Sequence, residues 1–282
     1  MGQQAIEIKP LSGAVGAEIY GVDLARDLDN SEMATVRQAF FDHGVVFFMD
    51  QNLTPDQHLT FARRFGGIDV NKFFEQVDGH PEIAQVRKEP KDTNNIGGGW
   101  HTDHSYDAAP AMGSMLLARE LPKTGGDTMF ASMYAAYDAL SSGMKEMLSG
   151  LKAVHSGARA FGPKAHENNA DRDAQFKLSE IALAEVEHPV ICTHADTGRK
   201  FLYVNGGFTM RFANMTEAES APLLQYLLQH AARPEFTCRF QWRPGAMAFW
   251  DNLCTQHLAI NDYHGQRRLM HRITIQGRAP SA

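Results

Sequence analysis

About ten short β-prone runs, separated by turn signals and not alternating with helices, set the strongest limit on how this chain can fold. They cover residues 17–22, 45–49, 83–86, 113–119, 128–131, 153–158, 185–194, 200–205, 236–242, 246–250 and 268–276. Helical period appears elsewhere. Asn30-Ser31 offers a cap for a helix to about residue 43, with Gly44 as its C′ residue, and Thr54-Pro55 caps a helix ending at residue 65. Residues 132–140 and 143–151 also read as helical, and Thr216-Glu217-Ala218-Glu219 is a capping box for a helix through about residue 230. His194-Ala195-Asp196-Thr197-Gly198 reads as a hairpin turn. Without a βα rhythm, and without a Gly-x-Gly-x-x-Gly opening a helix, a doubly wound parallel sheet is disfavoured. The expected fold is mainly β with peripheral helices: an antiparallel double sheet of the jelly-roll or cupin type, in one domain over residues 1–282.

The chemistry is concentrated in one stretch. Trp100-His101-Thr102-Asp103-His104 follows Gly97-Gly98-Gly99, at the end of a polar segment, residues 71–99, that reads as loops and as a candidate substrate lid. On an extended strand, positions i and i+2 point to one face, so His101 and Asp103 can share an ion. The spacing alone decides little, because 13 histidines and 33 acids in 282 residues give about one and a half such pairs by chance. Three occur: His80/Glu82, His101/Asp103 and His194/Asp196. The first has proline between its members, and in the last the aspartate is explained by turn chemistry. A metal needs a third ligand, and His257, just after Trp250-Asp251-Asn252, is the best candidate. Together His101, Asp103 and His257 would make the two-histidine, one-carboxylate set that leaves three positions open on a non-haem Fe(II).

A second signal lies near the C-terminal end. Arg268 and Arg272 are four apart on a strand and share one face, while Leu269, Ile273 and Ile275 give the other face an apolar character. Two arginines turned into a β interior are costly unless each meets an anion. A planar, bidentate fit to carboxylate or sulfonate supplies one.

A net charge of −6 with no basic stripe argues against a nucleic-acid partner. Three scattered cysteines read as reduced thiols, and Val45 to Met49, the longest apolar run, is too short to span a bilayer. Gly2 lacks the Ser or Thr at position 6 that myristoylation wants. The expected setting is the cytoplasm, with no membrane partner.

With these features together, the sequence resembles the Fe(II)/2-oxoglutarate-dependent dioxygenases of the taurine dioxygenase and 2,4-dichlorophenoxyacetate dioxygenase family. The resemblance runs over nearly the whole chain. It includes Gly16-Ala17-Glu18-Ile19, Arg63-Arg64-Phe65-Gly66, Trp100-His101-Thr102-Asp103, Leu121-Pro122-Lys123-Thr124-Gly125-Gly126-Asp127-Thr128, Tyr203-Val204-Asn205, Trp250-Asp251-Asn252 and Gln266-Arg267-Arg268-Leu269-Met270-His271-Arg272. It implies a double-stranded β-helix with iron on His101, Asp103 and His257, and a homo-oligomer, dimer or tetramer. The far carboxylate of 2-oxoglutarate would meet Arg268 and Thr128, Trp250 would pack on the metal site, and Arg272 would bind the substrate's anionic group. The implied reaction consumes O₂, releases succinate and CO₂, and hydroxylates a substrate C–H. Where that carbon bears sulfonate, sulfate or an aryl ether oxygen, the product collapses to an aldehyde or ketone.

The substrate pocket departs from the taurine enzymes. Their histidine, tyrosine and asparagine correspond to Asn71, Phe74 and Gly97, which removes polar contacts to a small zwitterion. Ser132-Met133-Tyr134, Val154-His155-Ser156 and Phe236-Thr237-Cys238-Arg239 are similar to (R)-phenoxypropionate dioxygenases. The expected substrate is therefore a small organic anion with a larger, partly apolar body, of phenoxyalkanoate, alkylsulfonate or alkylsulfate type. His104, Tyr106 and Phe208 join Asn71, Phe74 and Arg272 as expected pocket residues, and taurine itself is the alternative. A zinc hydrolase with the same three ligands, or a non-catalytic jelly-roll module, is the rival from another class.

Overall fold

In the computed structural model, which describes residues 5–163, 165 and 179–282, a nine-stranded sheet stands across from a three-stranded one. The large sheet runs Glu7–Pro10, Ala17–Tyr20, Val45–Phe48, Met247–Asp251, Gly113–Glu120, Arg268–Ile275, His80–Lys88 and Gln76–Val77, with Ile68–Asp69 also on Arg268–Ile275. The small sheet runs Thr237–Phe240, Thr128–Ser132, Thr255–Ala259. Glu185–Pro189, Lys152–Ser156 and Thr209–Phe212 form a further sheet, and Ile191–Thr193 makes a hairpin with Lys200–Leu202.

Alternate residues of the large sheet serve two cores. Val45, Phe47, Leu116, Ala118, Ala248, Trp250 and Met270 pack with Phe130, Cys238 and Phe240 of the small sheet. Their neighbours Val46, Phe48, Met115, Leu117, Phe249, Ile273 and Ile275 pack against Met33, Val36, Phe40, Leu59 and Phe61 of the helices Asn30–His43 and Pro55–Arg63. Covering both faces explains why the run at Val45–Phe48 is apolar throughout. The same alternation turns Arg268 and Arg272, with Met270, toward the small sheet, as the shared-face argument requires. The jelly-roll architecture expected from the strand spacing is therefore present, with one exception to antiparallel pairing: Ala17–Tyr20 and Val45–Phe48 run parallel.

Local chemistry sets the helix ends. Asn30–His43 is capped by Asp29, one residue earlier than expected, because Asp29 Oδ1 accepts from the Glu32 amide at 2.9 Å and Glu32 Oε2 accepts from the Asp29 amide at 3.0 Å. Gly44 ends it at φ +69°, the left-handed turn that favours glycine. The Thr54 cap and the Thr216/Glu219 capping box stand as expected, the latter opening Glu217–Ala231. The run at 185–194 splits between two sheets, Glu185–Pro189 and Ile191–Thr193. Gln76–Val77, Thr209–Phe212 and Thr255–Ala259 are strands that the sequence period does not show. In the polar segment before the glycine run, the strand is His80–Lys88 rather than 83–86, held by its pairing to Arg268–Ile275. No helix among the described residues is long and apolar enough to cross a membrane.

Candidate metal and co-substrate site

His101 and His257 are directly opposite each other in an antiparallel bridge. The His101 amide donates to the His257 carbonyl at 3.1 Å, and the His257 amide donates back at 2.8 Å. Opposed residues of such a pair project to the same side, and the two rings lie with centroids 4.1 Å apart. His257 gets there from Thr255–Ala259 of the small sheet, so the histidine pair joins that sheet to the glycine-rich loop. Asp103 completes the group: ligand atoms of His101, Asp103 and His257 all lie within 4.8 Å of one another. The strand argument for His101 and Asp103 holds only in part, because residues 103–106 turn instead of extending. What holds Asp103 in place is a set of hydrogen bonds.

Ser114 Oγ donates to Asp103 Oδ2 at 2.8 Å, and Asn252 Nδ2 donates to Ser114 Oγ at 3.0 Å. Asn252 Oδ1 in turn accepts from Trp250 Nε1 at 2.8 Å, and its carbonyl accepts from the Thr102 hydroxyl. This chain ties the carboxylate to the strand Met247–Asp251 and to the start of Gly113–Glu120. Ser114 was not among the expected residues. A lone serine in an inward-facing position of an apolar strand was the available sign.

The protonation states suit a metal. Burial pushes the rings of His101 and His257 below the ordinary histidine value, His257 well below, and their mutual repulsion adds to this at His257. Burial alone would raise the Asp103 carboxyl, but the Arg272 guanidinium and the neighbouring histidines hold it well below the usual carboxylate range. Near neutral pH the group therefore presents two neutral imidazoles and one carboxylate, the forms in which these side chains ligate. His101 Nδ1 lies 2.7 Å from the Gly99 carbonyl, which assigns the proton to Nδ1 and leaves Nε2 with a lone pair that could ligate a metal. Glycine is needed around this ring: a Cβ on Gly97 would stand 3.0 Å from His101 Cε1, and one on Gly207 2.8 Å from His101 Cβ. Trp250 packs on His257, ring centroids 4.7 Å apart.

On the inner side, a narrow cavity runs from His101 and His257 to Arg268, Thr128 and Trp250. Arg268 is 5% exposed, and its Nε and Nη2 have no hydrogen-bond partner. The indole Nε1 of Trp242 donates to Thr128 Oγ1 at 2.9 Å, which leaves the Thr128 proton free to donate onward. A buried guanidinium with unmet donors beside a hydroxyl donor is the counterpart of a carboxylate. The Leu121–Thr128 turn that delivers Thr128 has Gly125 and Gly126 at φ +79° and +72°, with Asp262 packed directly against Gly125.

On the outer side a cleft of about 240 Å³ opens, lined by Phe74, His104, Tyr106, Phe208 and Arg272, and also by Ile96, Arg159 and Phe161, which sequence reasoning did not find. Arg272 Nη1 donates to Asp103 Oδ1 at 3.2 Å, its guanidinium lies 4.8 Å from the Phe74 ring centroid, and its Nε has no partner. Asn71 does not line the cleft. Its Oδ1 accepts from the Phe73 and Phe74 amides at 2.9 and 3.0 Å, so it shapes the loop that carries Phe74. His104 sits at φ +60° with Nδ1 3.0 Å from Asp69 Oδ2 and 3.3 Å from Asp107 Oδ2. Burial works against its charge, but those two carboxylates raise its pKa above the ordinary value.

The profile of the taurine catabolism dioxygenase TauD, TfdA family matches residues 7–274. The chain belongs to this family. It is 33% identical over 98% of its length to the alpha-ketoglutarate-dependent sulfate ester dioxygenase of Pseudomonas putida, covering 91% of that protein. The crystal structure of a taurine dioxygenase from Burkholderia xenovorans superposes with a TM-score of 0.83 at 36% identity, with 98% and 93% of the two chains covered. The structure of AAD-2 in complex with Mn(II) and N-oxalylglycine superposes with a TM-score of 0.81 at 29% identity, with 99% and 100% covered. Family membership makes the chain an Fe(II)- and 2-oxoglutarate-dependent dioxygenase that uses O₂.

Proposed function

We propose that His101, Asp103 and His257 hold Fe(II), that Arg268 and Thr128 receive the far carboxylate of 2-oxoglutarate, and that the outer cleft takes a small organic anion. The observation that carries this reading is the position of Arg268: a buried, incompletely paired guanidinium in the same cavity as His101 and His257, the two histidines grouped with Asp103. A zinc hydrolase needs no such group. Bound with 2-oxoglutarate, iron supplies oxidative decarboxylation by O₂, so that one oxygen atom ends in succinate and the other in a hydroxylated substrate.

The chain's own residues position and exclude. The Ser114–Asn252–Trp250 chain fixes the carboxylate, and the Gly99 carbonyl fixes the tautomer of His101. Arg272, between Asp103 and the cleft, offers its Nε–H to a substrate anion and aims the substrate at the ligand group. Phe74, Tyr106, Phe161 and Phe208 keep water from the reacting carbon and favour an apolar body. Among the described residues Asp103 is the one carboxylate on the cleft wall, and Arg272 already holds it, so a substrate ammonium finds no partner among them. This favours a sulfate ester, sulfonate or phenoxyalkanoate. Oxidation at the carbon bearing a sulfate ester or aryl ether oxygen releases sulfate or a phenol with an aldehyde or ketone. Likeness to the B. xenovorans taurine dioxygenase keeps taurine as the second reading.

The test is succinate formation and O₂ uptake by the Fe(II) protein with 2-oxoglutarate, over alkyl sulfates, alkylsulfonates, both phenoxypropionate enantiomers and taurine. Substrate-stimulated turnover with a member other than taurine is expected. Turnover with taurine alone overturns the substrate class, and failure to bind 2-oxoglutarate overturns the whole reading.

A further inference from the structure

Arg159 is used by none of the roles above, yet its side chain lies on the wall of the outer cleft. It belongs to the short helix Ala158–Phe161, which packs Phe161 against Phe73, ring centroids 4.3 Å apart and nearly parallel. The same arginine also borders an open surface groove along the helix Glu217–Ala231, so it stands where the cleft meets solvent. Among the described residues its one hydrogen bond is from Nη1 to the Thr209 carbonyl at 3.3 Å, and it makes no ion pair. Guanidinium carries five N–H donors in a rigid fork, and here most of them have no acceptor. Arg272 and Arg159 thus put two cations on one small cleft, one beside the ligand group and one at the mouth, with aromatic rings between. Asp103, the only acid on that wall among the described residues, is already engaged by Arg272.

We infer that Arg159 is a second anion-recognition residue, and that the preferred substrate carries an anionic group at each end of a partly apolar body. One end meets Arg272 near the ligand group, and the other meets Arg159 at the mouth. This rests on the reading of the cleft as the substrate site and refines it from an organic anion to an α,ω-dianion. Arg159 is exposed, so water screens the contact and it is weaker than one made at a buried guanidinium such as Arg272. One such contact at an exposed arginine is worth about two- to fivefold in kcat/KM between substrates that differ only in having it.

The experiment compares hexyl sulfate with the same chain ending in a carboxylate, 6-sulfooxyhexanoate, on the Fe(II) protein with 2-oxoglutarate. The readout is the ratio of their kcat/KM values for succinate formation. The wild-type protein is expected to prefer the dianion by about two- to fivefold. Arg159→Gln should bring the ratio to about one, and Arg159→Lys, which keeps the charge but loses the fork, should leave it between the two. Because the side chain lies at the rim, the glutamine variant is not expected to unfold, and its melting temperature checks this. A wild-type ratio near one, or a ratio that Arg159→Gln leaves in place, overturns the inference while the dioxygenase reading stands. If neither compound stimulates succinate formation although another member of the anion panel does, the dianion inference is overturned alone. If no panel member does and 2-oxoglutarate does not bind, both fall together.

Discussion

Replacing Arg268 by methionine should raise stability without the co-substrate and remove most of the stability that the co-substrate adds. Methionine keeps the stem and removes the guanidinium, whose Nε and Nη2 are buried and unpaired. Each unmet buried donor costs about 1–3 kcal/mol. The guanidinium centre lies 5.5 Å from the Trp242 ring centroid, an attraction worth about 0.5–2 kcal/mol that the variant gives up. With two such donors the balance favours the variant by about 0–5 kcal/mol, read as a rise in melting temperature. Adding Mn(II) and 2-oxoglutarate moves the balance back toward the wild type by about 2.3 kcal/mol. At a hundredfold excess over Kd the wild type gains about 2.7 kcal/mol. Loss of two charge-assisted hydrogen bonds raises the variant's Kd about a hundredfold, so at the same concentration it gains only about 0.4 kcal/mol. Thermal melts of both proteins, with Mn(II) and with or without 2-oxoglutarate, measure all four quantities without turnover. An Arg268→Met protein that melts below wild type in the absence of ligand, and still gains the full ligand shift, would refute the assignment of Arg268 as the carboxylate anchor.

Three further outcomes follow from contacts in the same region and core. Ser114→Ala removes the donor to Asp103 Oδ2 and should weaken Mn(II) binding about tenfold to a hundredfold, read by the EPR signal of free Mn(II); unchanged binding would show that the hydrogen-bond chain does not position the carboxylate. Gly207→Ala pushes a methyl group to within 2.8 Å of His101 Cβ, and should weaken Mn(II) binding about tenfold or more in the same titration. His58 is fully buried with neither ring nitrogen bonded, and burial pushes its pKa down to about 3. Its folded value is below the unfolded one, so the unfolded chain takes up the proton first and stability falls as pH drops from about 6.5 toward 3. Between pH 7 and pH 5 this one ring accounts for about 2 kcal/mol, and His58→Leu should flatten the fall in melting temperature over that range. Parallel curves for the two proteins would refute the burial argument.

The ligand group and its neighbours differ in how readable they were, and the difference follows the range of the interactions that place them. Arg268 and Arg272 were legible because a two-residue period is local: four residues apart on any strand means one face, and Ile273 and Ile275 on the far side fixed which face was apolar. Thr255–Ala259 was not legible as a strand. Its Thr, Gln and His side chains are buried by the loop and sheets around them, and hydrophobic alternation does not report that. Asn71 was assigned to the pocket by its position in the family motif, but asparagine readily bonds the amides that follow it, and here that short-range bond takes its oxygen away from the cleft.

Arg159 lies at the other extreme. The cleft wall brings together residues 74, 96–99, 101–106, 159–161, 206–208 and 272, segments whose meeting depends on the whole sheet topology. Nothing within a few residues of position 159 marks that arginine as different from the other basic side chains of the surface. Its distinction is relational: a guanidinium with one backbone acceptor, no described ion pair, and a second guanidinium on the same wall. Cations that a fold leaves unpaired next to a cavity identify the charge of what the cavity accepts, whereas apolar rings set only its size. For this reason the Arg159 substitution series, rather than further change to the aromatic wall, is the direct route to the substrate's second functional group.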